Sequence, residues 1–186
     1  CICVSGNWTP TVHLSSQSGN KLKFDEKINA FIPSQSRQNE STIGSANGSF
    51  TLKKSLDDGF NKGYELSNKI TGKNVKSTTP TSNERSYAQH DKFWCMPLPK
   101  NKHYKRCVDF QNDVYVSDIE LAVREGFRSI EHVKRYTTLG MATDQGKTSN
   151  LNGLQLVSNI ENKIVPEVGH TTFRPPYTPV TIGAIV

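Results

Sequence analysis

LGMATDQGKTSN, residues 139–150, decides between two folds. Gly-Lys-Thr behind an upstream glycine is the ending of a phosphate-binding loop, which would place a nucleotide-hydrolysing parallel α/β domain here. That loop needs four residues between its first glycine and the Gly-Lys-Thr, so that consecutive amides curl around a phosphate. Gly140 and Gly146 are separated by five. The loop must also follow a β-strand, whereas residues 128–138 carry Ile130, Val133 and Tyr136 at helical spacing. The stretch therefore reads as a turn between two helices. Two uses of it stay open: a helix N-terminus with a nearby lysine that attracts an anion, or a capped turn with Thr148, Ser149 or Asn150 as N-cap.

Working outward, residues 107–165 read as a small, mainly helical domain. Asp109–Val116 precedes a helix opened by a capping box, Ser117-Asp118-Ile119-Glu120, and stopped at Gly126. Ser129 starts a second helix, which Gly140 ends. Leu151, Leu154, Val157 and Ile160 predict a third. Pro166, Pro175, Pro176 and Pro179 then predict a stiff extended segment over 166–186.

Residues 1–70 alternate short apolar runs with glycine turns, as α/β units do. Cys1–Ser5 is a buried-strand candidate followed by Gly6-x-x-x-Pro10, and Lys21–Phe24 is a second short strand. Ile43-Gly44-Ser45-Ala46-Asn47-Gly48 forms a turn before a helix marked by Phe50, Leu52, Leu56, Phe60 and Tyr64. Two glycine turns in that order fit a dinucleotide fold, because glycine allows close backbone approach and a helix start favours a pyrophosphate. Residues 71–106 differ: Thr, Ser, Asn, Lys and Pro dominate, and the apolar knot Phe93–Pro99 reads as the docking element of a variable linker.

Composition narrows the function. The chain has 186 residues, 34% hydrophobic and 22% charged, with a formal net charge of +6. No apolar run reaches the 18 or so residues of a membrane span, so no membrane partner is expected. The charge is spread over Lys/Asn/Ser-rich stretches, so a basic nucleic-acid-binding module is an alternative rather than the leading reading. Cys1, Cys3, Cys95 and Cys107 lack paired zinc spacing, which favours a reducing, cytoplasmic setting over a disulfide framework. His13, His90, His103, His132 and His170 show no metal-type pairing, and no nucleophile elbow is present. No catalytic residue and no metal ligand is assigned. The first residues, Cys-Ile-Cys-Val, and the apolar ending Val-Thr-Ile-Gly-Ala-Ile-Val read as an internal slice of a longer chain.

Five segments together carry a resemblance: Val108–Val114, Glu125–Ser129, Lys134–Met141, Thr143–Ser149 and Thr171–Pro179. With residues 1–66 they resemble the α subunits of heterotetrameric sarcosine oxidases. The resemblance implies a flavoenzyme complex that oxidatively demethylates sarcosine to glycine, yielding hydrogen peroxide and either formaldehyde or 5,10-methylenetetrahydrofolate. An equivalent subunit of a related amine, opine or amino-acid dehydrogenase is the alternative. The implied fold is the C-terminal part of a flavoprotein disulfide-reductase-like dinucleotide-binding domain, then a small helical domain, then the entrance to an aminomethyltransferase-like folate domain.

In disulfide-reductase-like folds an acidic residue at the second glycine turn binds FAD; here Ser45 stands in that place. That departure suits NAD, with Ser45, Ala46, Asn47, Gly48, Phe50 and Leu52 as its implied contacts. The helical domain resembles bacterioferritin-associated ferredoxin [2Fe-2S] modules, whose four cysteine positions fall here at Asp109, Gln111, Asp144 and Ser149. None is a thiolate, so no [2Fe-2S] cluster is expected. The resemblance also implies FMN at the interface with a β subunit. Arg135, Gln145, Lys147, Thr148 and Arg174 are the residues expected to face it, while FAD and tetrahydrofolate bind elsewhere in the complex.

Overall fold

The computed structural model describes residues 8–72, 78–84, 93–100 and 104–186. The strand expected at Cys1–Ser5, the glycine at position 6, and Cys1, Cys3, His90 and His103 lie outside the described residues. The chain divides into two compact units, Cys1–Asp91 and Lys92–Val186. Among the described residues no helix is long and apolar enough to cross a membrane.

The first unit holds α1 (His13–Gln17), the antiparallel pair β1 (Leu22–Asp25) and β2 (Ala30–Pro33), a 3₁₀ turn (Gly44–Asn47) and α2 (Leu52–Thr71). Leu22 pairs with Pro33 and Asp25 with Ala30. The Asp25 carboxylate accepts from the Lys27 amide and steers the intervening turn. Phe24 and Phe31 sit opposite each other and meet edge to face, with ring centroids 5.2 Å apart. Val12, Ala30 and Ile32 form a thin core beside the buried polar residues His13, Ser15, Asn20 and Ser49. The 20-residue helix α2 is amphipathic in sequence, as its apolar spacing predicts, yet none of its residues is fully buried. Its start is fixed by the Thr51 hydroxyl, which accepts the Lys54 amide at 3.2 Å.

The second unit is mainly helical. A hairpin of β3 (Cys107–Asp109) and β4 (Val114–Tyr115) leads into α3 (Val116–Arg124), then α4 (Ile130–Thr137), α5 (Asn150–Glu161) and the one-turn α6 (Val165–Val168). Its core is continuous: Val114, Ile119 and Ala122 from the first half meet Val133, Leu139, Leu154 and Val157 from the second. Gly153 on α5 is where Leu139 seats, because a Cβ there would lie 2.4 Å from a Leu139 methyl.

Three sequence expectations shift. The helix α3 opens two residues early: Tyr115 rather than Ser117 is the N-cap, and the Asp118 carboxylate accepts the Tyr115 amide at 2.8 Å, so Ser117 lies inside the helix. Burying Val116 on the core draws the start upstream. Gly140 does not end α4, because Thr138 takes the left-handed position at φ +63°. Pro166 sits within α6 rather than in extended chain, where its missing amide costs no helical bond. The stop at Gly126 is as predicted: at φ +95°, it lets the Phe127 amide reach the Ala122 carbonyl while its own amide reaches Val123.

Candidate functional site

The four positions that line up with cluster cysteines meet in one place. Asp109 is buried, and its Oδ2 accepts the Gly140 amide at 2.7 Å and the Ser149 hydroxyl at 3.3 Å. Its Oδ1 accepts the amides of Gln111 and Asn112. Gln111 Oε1 in turn accepts the Thr143 hydroxyl at 2.9 Å and the Asp144 amide at 3.3 Å. Asp144 closes the turn by accepting the Gly146 amide and both the amide and hydroxyl of Thr148. Oxygens therefore hold the hairpin to the 140–149 turn.

The two glycines that imitate a phosphate loop have a packing role. Gly140 and Gly146 are both left-handed, at φ +66° and +75°. A Cβ on either would come within 2.0–2.2 Å of the Asn150 side chain, which lies between them. Asn150 Nδ2 donates to the Thr171 hydroxyl at 3.0 Å and ties this turn to the C-terminal segment. The turn thus wraps an asparagine.

On the outer side of that turn, α4 and residues 172–175 enclose a cleft of about 270 Å³. Arg135, Gln145 and Arg174, three of the five residues expected to face a flavin, line it together. Lys134, which the sequence reading passed over, lines it too, beside Glu131, Met141 and Phe173. Glu131 braces the walls: Oε1 accepts the Thr172 amide at 2.7 Å, and Oε2 lies 3.4 Å from Arg135. Burial pushes the Lys134 ammonium below its ordinary value, Glu131 works against this, and Arg174 and Arg135 add to it. Gln145 takes a left-handed backbone, φ +54°, and its buried Oε1 has no hydrogen-bond partner in the described structure.

The other two expected residues lie outside this lining. Lys147 Nζ donates to the Tyr177 carbonyl at 2.7 Å and sits 4.4 Å from the centre of the Tyr177 ring. Thr148 is bonded to Asp144. Lys134 had a sequence signal only in hindsight, as the i+3 neighbour of Glu131 and the neighbour of Arg135.

In the first unit, Ser45, Ala46 and Asn47 form the 3₁₀ turn, and Gly48 caps it at φ +80°. A Cβ at Gly48 would press on Ile28 and Ile32, so the hairpin fixes this turn. Ser49 donates to Asp58 at 2.5 Å, and Ser55 donates to the Ser49 carbonyl, locking the entry to α2. Asn47 lines a shallow cleft with Asn20, Lys23, Ser36 and Lys62. Phe50 is half-buried and Leu52 exposed. The Glu84 carboxylate accepts the Lys53 amide at the helix start; bonds from the Leu52 and Lys53 backbone hold it below the ordinary carboxylate value.

The knot around Trp94–Pro99 belongs to the second unit and lines an apolar cavity with Val108, Val116 and Leu156. Cys107 also faces it; burial, then Asp113 and Asp109, push its thiol up, which disfavours a reactive thiolate. Arg106 reaches across to the Cys95 sulfur at 3.1 Å.

Residues 103–186 match the family model described as the sarcosine oxidase A3 domain. Over 185 residues, the chain is 36% identical to sarcosine oxidase subunit alpha of Rhizobium meliloti (strain 1021), covering 99% of this chain and 18% of that protein. It is 34% identical to the corresponding subunit of Corynebacterium sp. (strain U-96), covering 99% of this chain and 20% of that one. The chain thus spans about a fifth of the length of these curated relatives. Among solved structures, L-proline dehydrogenase from P. horikoshii superposes with a TM-score of 0.69 at 20% identity, over 96% of this chain and 37% of that one. At that identity the likeness is one of fold.

Proposed function

Because the chain is a relative of the sarcosine oxidase α subunits, we propose that it is the cofactor-facing and subunit-interface part of such a subunit. In this reading the second unit faces FMN carried by a β subunit within a heterotetramer. The complex oxidatively demethylates sarcosine to glycine, with FAD and tetrahydrofolate bound elsewhere. One observation carries the reading: Arg135, Gln145 and Arg174 come from separate segments yet line one cationic cleft, within the region matching the A3 domain. Guanidinium groups there suit a flavin's phosphate or its ring carbonyls. Lys147 and Thr148 act one step back, holding the turn and the C-terminal segment that present Gln145 and Arg174.

The first unit is proposed to contact NAD through Ser45, Ala46, Asn47 and Gly48, with Phe50 and Leu52 beside them. The left-handed Gly48 and the α2 start directly after it support this reading, since both favour close approach of a pyrophosphate. The Glu84 carboxylate already sits at that helix start, so NAD would have to displace it.

The test is made in the assembled complex. Arg174→Gln and Arg135→Gln are expected to lower FMN occupancy and weaken α–β association; if both quantities stay at the wild-type level, the assignment is wrong. A related amine, opine or amino-acid dehydrogenase is the second reading, supported by the fold likeness to L-proline dehydrogenase. Assaying the complex with sarcosine, proline and an opine separates the two.

A further inference from the structure

We infer that Cys95 and Cys107 form a peroxide-oxidised modification site, in which Cys95 is the thiol that reacts first and Cys107 resolves it into a disulfide. The inference goes beyond the flavin-interface reading and does not depend on it.

Two free thiols from separate segments line one cavity. Cys95 comes from the apolar knot and Cys107 opens β3, and both border the same space of about 480 Å³ within the second unit. Each is half-buried, so a small neutral oxidant such as hydrogen peroxide can reach both. Arg106 joins the two segments: it precedes Cys107 in the chain, yet its Nη1 donates to the Cys95 sulfur at 3.1 Å.

The surroundings make the two thiols unequal. The Arg106 guanidinium is held over Cys95 by two further contacts, since Nη1 also donates to the Met96 carbonyl at 3.3 Å and Nη2 lies 3.5 Å from the Glu120 carboxylate. A fixed cation there stabilises the negative charge that the Cys95 sulfur carries as it attacks peroxide. At Cys107, burial pushes the thiol up and the Asp113 and Asp109 charges add to this. Cys107 therefore keeps its proton while Cys95 reacts.

In the first step the Cys95 thiolate attacks one peroxide oxygen. An S–O bond forms, the O–O bond breaks, and hydroxide leaves and takes up the proton that the thiol gave to solvent, ending as water. Sulfur loses two electrons, peroxide gains them, and Cys95 becomes a sulfenic acid. In the second step the Cys107 sulfur attacks the Cys95 sulfur; the S–S bond forms, and the sulfenic hydroxyl leaves with the Cys107 proton as water. Sharing one cavity makes this step intramolecular, which offsets the weak nucleophilicity of a protonated Cys107. The product staples the knot to β3.

The experiment exposes the full chain to a modest excess of hydrogen peroxide, blocks the remaining thiols with iodoacetamide and maps the peptides by mass spectrometry. A Cys95–Cys107 cross-link that dithiothreitol reverses is expected. Cys107→Ser is expected to stop at a sulfenic acid on Cys95, captured by dimedone, and Cys95→Ser to leave Cys107 reduced. Arg106→Met is expected to slow Cys95 oxidation about tenfold, with Arg106→Lys restoring most of the rate. Thermal unfolding shows which variants are folded; if Arg106→Met is not, the cross-link map and the two cysteine variants decide alone. A cross-link from Cys95 to Cys1 or Cys3, a Cys95 sulfinic acid beside a still-alkylated Cys107, or a Cys107 that oxidises as fast in Cys95→Ser overturns the inference. So does a Cys95 that oxidises at the wild-type rate in folded Arg106→Met.

Discussion

The Ser149 hydroxyl donates to the Asp109 carboxylate across 40 residues of sequence, at 3.3 Å, beside the Gly140 amide at 2.7 Å on the same oxygen. With the Gln111 and Asn112 amides on the other oxygen, a nearly inaccessible carboxylate receives four donors. Removing it strands at least two of them in the interior, each costing about 1–3 kcal/mol. Asp109→Ala is therefore expected to destabilise the second unit by about 3 kcal/mol, and Asp109→Asn by less, since an amide keeps one acceptor. Urea unfolding followed by circular dichroism checks this. A loss under about 1 kcal/mol would mean that water replaces the carboxylate at little cost.

Gly146→Ala places a methyl about 2.2 Å from the Asn150 side chain on a left-handed backbone. Strain and clash together are expected to cost about 3 kcal/mol. Because the clash is with one side chain, Asn150→Ala in the same chain should recover part of it despite losing the Thr171 bond. A double-mutant cycle should therefore give a coupling of at least about 1 kcal/mol. Strict additivity would show that the backbone conformation alone requires glycine.

These two residues also show what was legible. The spacing of Gly140 and Gly146 was enough to reject a phosphate loop, and the apolar period was enough to set out α3, α4 and α5. What the glycines do instead depends on Asn150 folding back between them, a tertiary contact with no local signal. The alignment of Asp109, Gln111, Asp144 and Ser149 with cluster ligands anticipates their meeting, but not which amides they bind. Helix boundaries slipped where burial outweighed the local rule, as at Val116, or where a threonine accepted the left-handed cap, as at Thr138. Lys134 was missed because only the fold brings residues 172–175 against α4. In the first unit, the spacing of Leu56, Phe60 and Tyr64 predicted the helix correctly; that its apolar face is only half covered there is not written in the period.

Acid should loosen the same turn through Asp144. Burial alone would raise its pKa, but the Thr148 hydroxyl, the Gly146 and Thr148 amides and the nearby Lys147 charge together bring it below the ordinary value. A carboxyl depressed in the folded state contributes stability that is fully present above its unfolded pKa, about 3.9. That contribution fades as pH falls from there through the folded value. Wild type is thus expected to lose more stability than Asp144→Asn between pH 5 and strongly acidic conditions, by a small margin because solvent screens this partly exposed carboxylate. Parallel pH dependence in the two proteins would remove Asp144 from the account.

Lys147 provides the last distinction, between holding the C-terminal segment and touching a ligand. Its ammonium binds the Tyr177 carbonyl at 2.7 Å while standing over the ring of the same residue. A charge-assisted bond and a cation–π contact together contribute about 1–2 kcal/mol. Lys147→Met keeps the stem and removes both contacts, so amide exchange around Tyr177 should rise about tenfold or more, while the helices' protection hardly changes. Because Arg174 lies three residues before Tyr177, the same variant should weaken FMN binding only indirectly. Tethering residues 174–177 by an engineered disulfide should then recover that binding without restoring the lysine. If the tether fails while the segment is demonstrably ordered, Lys147 contacts the FMN itself.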